Sequence, residues 1–117
     1  MYPRIGIRGF TLIELLMVVA IIAVLLAIAV PNVITAREQS QANGCISNLH
    51  EIDSAKEMLR VDLHLSASAT PTSAEMVPIY LRAFPVCPSG GTYSINPLGQ
   101  NPTCTIGGPF PHIMTPD

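Results

Sequence analysis

Gly9-Phe10-Thr11-Leu12-Ile13-Glu14-Leu15 opens a segment that stays apolar as far as Val30-Pro31-Asn32. Leu15–Val30 is a run of 16 residues without one polar side chain, and extending it back to Phe10 adds only Thr11 and Glu14. A bilayer core takes about 20 mostly apolar residues in a helix, and Phe10–Val30 supplies 21. Ahead of it, Met1–Gly9 carries Arg4 and Arg8 and no acid. The positive-inside tendency therefore keeps the N-terminus in the cytoplasm and sends the remainder outward. Three kinds of segment share these features. One is a secretory signal cut near Ala27-Ile28-Ala29, and another is an uncleaved anchor. The third is cut between Gly9 and Phe10, so that the apolar stretch stays in the mature chain.

Glu14 separates the three. A carboxyl inside a spanning segment costs about 2.5–3.5 kcal/mol on insertion scales, and such a group has a partner or a task. A disposable signal has no need of one, and a plain anchor is better served by leucine. Cutting after Gly9 makes Phe10 a new cationic terminus four residues before the carboxylate. In a medium of low dielectric those charges attract strongly, within a subunit or between neighbours.

The string Gly9-Phe10-Thr11-Leu12-Ile13-Glu14-Leu15, with the long apolar helix ending at Val30-Pro31-Asn32, resembles the N-terminus of type IV pilins and of the pseudopilins of type II secretion. The resemblance implies that a membrane-embedded prepilin peptidase cuts after Gly9 and methylates the amine of Phe10. It implies that Glu14 then pairs with that amine on an adjacent subunit during assembly. On this basis residues 1–9 are a leader, 10–30 a transmembrane and filament-core helix, 31–65 its amphipathic continuation and 66–117 a small globular head. The implied partners are copies of the same chain in a helical filament, the peptidase and methyltransferase, an inner-membrane assembly platform, and lipid before assembly. The precursor is expected in a bacterial inner membrane, and the product in a cell-surface or periplasmic filament.

Beyond Pro31 the pattern becomes amphipathic. Ala42, Cys45, Ile46, Leu49, Ile52, Ala55, Leu59 and Leu63 keep the three-to-four spacing of one helix face. Glu38, Gln41, Asn48, Glu51, Asp53, Lys56 and Glu57 fall mostly on the other, and Asp53, Lys56, Glu57 and Arg60 are spaced for helix-surface ion pairs. One helix is thus expected from Phe10 to about Arg60, roughly 75 Å long at 1.5 Å per residue. Pro31 lacks an N–H and crowds the preceding turn, so a kink or local melting is expected near Ala27–Pro31. Gly44 is a second weak point, costing about 1 kcal/mol against alanine.

The remainder is a small module. Ser66–Pro71 has the composition of a linker. Thr72-Ser73-Ala74-Glu75 has capping-box spacing and predicts a short helix carrying Met76 to Leu81. Thr92-Tyr93-Ser94-Ile95 and Thr103–Ile106 read as strands of a small antiparallel sheet resting on the long helix, so the fold class is α+β. The segment around Cys45–Lys56, with Cys87-Pro88-Ser89-Gly90-Gly91-Thr92-Tyr93 and Cys104, also resembles a subgroup of short pilin-like proteins.

The 3 cysteines lie outside the membrane, in an oxidising compartment where pairing is the rule. Cys87–Cys104 is the favoured disulfide, because both flank the expected hairpin, and its loop closure would stabilise by about 3 kcal/mol. Cys45 would then remain as a small buried hydrophobe, while a bond from Cys45 to either of the others is the alternative. His50, His64 and His112 stand at no zinc-type spacing from the cysteines, so no metal site is expected. His50 and His64 fit a helix edge.

No phosphate-binding loop or nucleophile–base motif is found, and neither an enzyme nor a cofactor is expected. The full chain has 6 Lys and Arg against 8 Asp and Glu. Loss of Arg4 and Arg8 with the leader makes the balance more acidic, which disfavours nucleic acid as a partner. Some pseudopilins bind calcium through C-terminal acidic residues, and here no acid lies between Glu75 and Asp117. The resulting expectation is a structural subunit of a type IV pilus-like filament. A type II secretion pseudopilin is the first alternative and a membrane-anchored binding module the second.

Overall fold

The computed structural model describes residues 1–3, 6 and 8–115. Arg4 and Asp117, which enter the charge arguments above, lie outside them. The chain divides into two compact units, Met1–Ala36 and Arg37–Asp117.

Helix α1 spans Leu12–Leu63, 52 residues. Its start is set by a reciprocal cap. The Thr11 N–H donates to Glu14 Oε2 at 3.0 Å, and the Glu14 N–H donates to Thr11 Oγ1 at 3.3 Å. Two of the amides that a helix N-terminus leaves without partners are satisfied in this way. The helix remains α-helical through Pro31, without the local melting that the proline suggests by itself. The flanking polar side chains bond to the backbone here: Asn32 Nδ2 donates to the Ile28 carbonyl at 3.3 Å, and Thr35 Oγ1 to the Pro31 carbonyl at 3.1 Å. In the first unit the helix carries its apolar side chains outward, and the most apolar 18-residue window, with mean hydropathy 3.1, has none of its residues buried.

In the second unit α1 buries Ala42, Cys45, Leu49, Ile52, Ala55 and Leu59, the stripe expected from the spacing, while Ile46 is half-buried and Leu63 exposed. Ile52 and Ala55 join Met76 and Leu81 in the core, and Val77, Tyr80, Phe84, Tyr93 and Ile95 pack against it. Phe84 meets Tyr93 edge-on with ring centroids 6.5 Å apart, a favoured aromatic geometry. At Gly44 a Cβ would stand 3.4 Å from Pro88 Cγ, an ordinary van der Waals distance, so the packing there does not itself require glycine.

Three expectations are corrected. Helix α2 covers only Ser73–Met76 and does not continue to Leu81. Val77 precedes a proline, which disfavours the helical conformation, and it is extended at φ −99°, ψ 135°; the Val77–Pro78 peptide is cis. Ser66–Pro71 is not a free linker, because Leu98 N–H donates to the Ala69 carbonyl at 2.9 Å and Gly99 N–H to the Ala67 carbonyl at 2.8 Å. Lys56 does not lie on a solvated face. It is fully buried, and its ammonium donates to the carbonyls of Pro97 (3.1 Å) and Gln100 (2.5 Å). Burial pulls its pKa down, against the opposing pull of Asp53 and Glu57. Glu57 pairs instead with Arg60 at 3.6 Å.

The sheet consists of β1 (Tyr93–Ser94) and β2 (Thr103–Cys104), antiparallel, with Tyr93 opposite Cys104 and Ser94 opposite Thr103. Beyond this pair, Thr92 N–H donates to Thr105 Oγ1 at 3.0 Å, and Thr105 N–H to the Thr92 carbonyl at 3.1 Å. Asn96 takes a left-handed conformation (φ 57°). Its side chain donates to the Asn101 carbonyl at 2.9 Å, which closes the connecting loop.

Two outcomes follow for this unit. Lys56→Ala deprives two loop carbonyls of their donor, and about 1–3 kcal/mol of stability is expected to be lost in chemical denaturation followed by near-UV circular dichroism. Glu75 accepts from the N–H (2.6 Å) and hydroxyl (2.8 Å) of Thr72, which hold its carboxyl below the usual range. That contribution is complete above the ordinary glutamate pKa and lost as pH falls through the depressed value. Glu75→Gln should flatten the acid limb of a melting-temperature profile against pH.

Candidate functional site

Two places in the chain concentrate chemistry. The first is the start of α1. Gly9 and Phe10 precede the helix and are exposed, Phe10 at 92%. A Cβ at Gly9 would meet nothing within 4 Å, and the residue is not in the left-handed region, so the fold itself does not ask for glycine there. Glu14 sits in the first turn of α1, where the helix dipole favours an anion. Sequence reasoning located these residues but missed the local bond between Thr11 and Glu14, although the Thr-x-x-Glu spacing was its signal. Glu14 therefore has a structural task inside one subunit.

The second place is in the unit Arg37–Asp117. Cys45 from α1, Cys87 from the loop before β1, Cys104 from β2 and His112 from the C-terminal stretch bring their ligating atoms within 4.8 Å of one another. Cys87 Sγ lies 3.8 Å from Cys104 Sγ and 3.5 Å from His112 Nδ1. Cys45, Cys87 and His112 are buried, and Cys104 is half-buried. All three thiols are free. The spacing along the sequence left His112 apart from the cysteines. Folding reunites them, because the Ile106 carbonyl accepts the His112 N–H at 3.3 Å and turns the last segment back. His50 and His64 are both exposed on or just beyond α1, away from this cluster.

The thiols do not share one environment. Burial dominates at Cys45 and pushes it up to about 12, with a hydrogen bond from Tyr93 working against it. Burial also opposes ionisation at Cys87, but the N–H groups of Ser89 and Gly91, His112 and the Cys45 thiol together bring it down to about 6. Burial and the bond to Cys45 raise Tyr93, whose hydroxyl accepts from Asn48 Nδ2 at 3.0 Å. Gly91 is required by contact: a Cβ there would fall 2.6 Å from Ile106 Cγ1, 2.7 Å from Cys104 Sγ and 3.3 Å from Cys87 Sγ.

Known proteins place the chain. The family described as Prokaryotic N-terminal methylation motif matches residues 5–30. The Type IV wide pilus major component PilA4 of Thermus thermophilus is 35% identical over 101 residues, covering 86% of this chain and 72% of that one. Type II secretion system core protein G of Klebsiella michiganensis is 27% identical over 80% of this chain and 76% of its own. The ComG operon protein 3 homolog of Bacillus licheniformis is 31% identical, with 76% and 90% covered. No solved structure matches. A long apolar N-terminal helix, a small antiparallel sheet and a prepilin methylation motif define a pilin-like filament subunit. The chain belongs to the type IV pilin and pseudopilin family.

Gly91→Ala is expected to cost about 1–3 kcal/mol by overpacking, with the loss concentrated at the thiol cluster. A lowered denaturation midpoint, together with faster exchange of the 87–93 amides by hydrogen–deuterium mass spectrometry, is the readout.

Proposed function

We propose that this protein is a structural, non-catalytic subunit of a type IV pilus-like filament. It is made as an inner-membrane precursor with a cytoplasmic N-terminus, cut after Gly9, methylated on Phe10 and extracted from lipid into a filament by an inner-membrane assembly platform. The observation that carries the proposal is the surface of α1 between Leu12 and Ile34. Sixteen large apolar side chains there stay exposed, by 49–77% of their area. At about 1.5 kcal/mol each, the low end for burying such groups, their removal from water is favourable by more than about 20 kcal/mol, more than the whole stability of a typical domain. Lipid satisfies this surface before assembly, and copies of the same helix satisfy it afterwards. Contacts of helix against helix that do not close on themselves propagate into a filament.

Glu14 supplies the register. Its Oε2 accepts from Thr11, and the carboxylate is held at the helix start, where the cleaved amine of a neighbouring Phe10 can reach it. In the apolar interior only a subunit docked at the height that pairs these charges escapes the penalty of a buried ion. Pro31 gives the Ala27 carbonyl no amide partner, and this is the place at which α1 would bend or extend during assembly.

Similarity to PilA4 over most of both chains, with no acidic residue between Glu75 and Asp117, favours a surface pilus. A secretion pseudopilus is the second reading, supported by the extent of the match to core protein G. Immunogold labelling of fibres outside the cell is expected for the first, and filaments confined to the periplasm for the second.

Protein sheared from cells should yield a first tryptic peptide that begins at N-methylated Phe10; one beginning beyond Val30 defeats the reading. Glu14→Gln preserves the reciprocal cap but removes the charge. It should be processed normally yet enter filaments at least tenfold less well, measured as the pelleted fraction against the membrane pool. Normal incorporation would mean that capping, rather than charge pairing, is the task of Glu14.

A further inference from the structure

We propose that Cys45, Cys87, Cys104 and His112 bind a zinc ion as a closed Cys3His centre that staples the unit Arg37–Asp117. Two edges of the cluster match those of a zinc tetrahedron. Zinc holds thiolates at about 2.3 Å and imidazole nitrogen at about 2.0–2.1 Å, so a tetrahedral site has sulfur–sulfur edges of about 3.8 Å and sulfur–nitrogen edges of about 3.6 Å. The edges seen here are 3.8 Å for Cys87–Cys104 and 3.5 Å for Cys87–His112, and every ligating atom lies within 4.8 Å of the others.

The surroundings suit a metal held for structure. Four protein ligands leave no position for water or substrate, which is the mark of a structural site. Three of them are buried, Cys45 at 0% and Cys87 and His112 at 3% exposure. The Ser89 and Gly91 amides favour the ionised form of Cys87, as outer-sphere donors do when they orient ligands and tune a metal. Gly91 leaves the space that the Cys87 and Cys104 sulfurs fill. The donor set of three thiolates and one imidazole selects zinc over hard cations such as calcium and magnesium. On binding, the three thiols release their protons to solvent and His112 offers the Nδ1 lone pair, leaving the centre with one net negative charge.

Four separate segments meet at this point: α1, the Cys87–Gly91 loop, β2 and the C-terminal stretch. The unit needs such a tie, because each of its strands is two residues long and its central cluster comprises four buried side chains. A Cys87–Cys104 disulfide is the competing fate of the same atoms. It would consume two of the three thiolates and give His112 and Cys45 no part, so metal and disulfide exclude one another.

The test uses the full chain, purified from membranes in detergent without chelator or reductant. One zinc per chain is expected by plasma mass spectrometry, with all three thiols recovered after denaturation in chelator. Replacement by cobalt(II) should produce the thiolate charge-transfer and tetrahedral d–d bands. His112→Ala keeps every cysteine, and should bind zinc at least about tenfold more weakly; His112→Cys should restore it as a four-thiolate site. Cys45→Ser should weaken binding likewise, though it leaves a Cys87–Cys104 disulfide possible. A chain lighter by the two hydrogens of one disulfide, which takes up no zinc or cobalt after reduction, overturns the proposal. So does zinc binding undiminished in both His112→Ala and Cys45→Ser.

Discussion

The exposed apolar surface of Leu12–Ala36 is the constraint on which everything else depends. It is helical on its own account, since backbone hydrogen bonds are satisfied within one segment, but its side chains stay exposed among the described residues of the unit Met1–Ala36. Neither water nor this unit can satisfy it. The surface requires lipid at one stage and sister helices at another, and the ability to exchange them follows from their similar polarity. Lipid tails and leucine side chains are about equally apolar, so transfer between the two environments has no large hydrophobic barrier. Polar detail then decides which arrangement is specific.

That detail is sparse. Thr11 and Glu14 are the polar side chains at the front of the segment, and they spend part of their capacity on each other. The bond serves the helix in any environment, because the first amides of α1 need acceptors in lipid more than in water. It also fixes the carboxylate at the positive end of the helix dipole. Local capping and a role between subunits are compatible, since a carboxylate accepts several hydrogen bonds at once.

The unit Arg37–Asp117 solves a different problem: how few residues can cover one face of a helix. Its core is small, and polar anchors carry much of the organisation. Lys56 is the clearest, a buried ammonium that gathers the loop between β1 and β2 by its carbonyls. Asn48 does similar work from the same helix, donating to the Val86 carbonyl and to Tyr93. The cluster of Cys45, Cys87, Cys104 and His112 ties the other end. Covalent or metal cross-links are the usual resort of modules whose apolar burial is limited.

Periodicity made α1 legible, because a 3.6-residue repeat over Ala42–Leu59 admits one geometry, and the uniformly apolar run before it admits one class of environment. The string Gly9–Leu15 marked the family, and Glu14 stood out as the odd charge within it. These features are local, and local patterns survive in a linear text. What remained hidden depended on residues far apart in the chain. The carbonyls that accept Lys56 lie 41 and 44 positions away, so its sequence context offered only helix-surface ion pairs. The shortness of α2 is written in Val77-Pro78, a local signal that opposes the capping box at Thr72. His112 reached the cysteines only through the return of the final segment, a path that no spacing rule encodes. The sequence by itself determined an apolar helix, an acidic group at its start and a partly buried continuation, since each follows from neighbours a few residues away. Only the tertiary structure decided what the thiols and the buried lysine touch, because those contacts exist only once loops have closed.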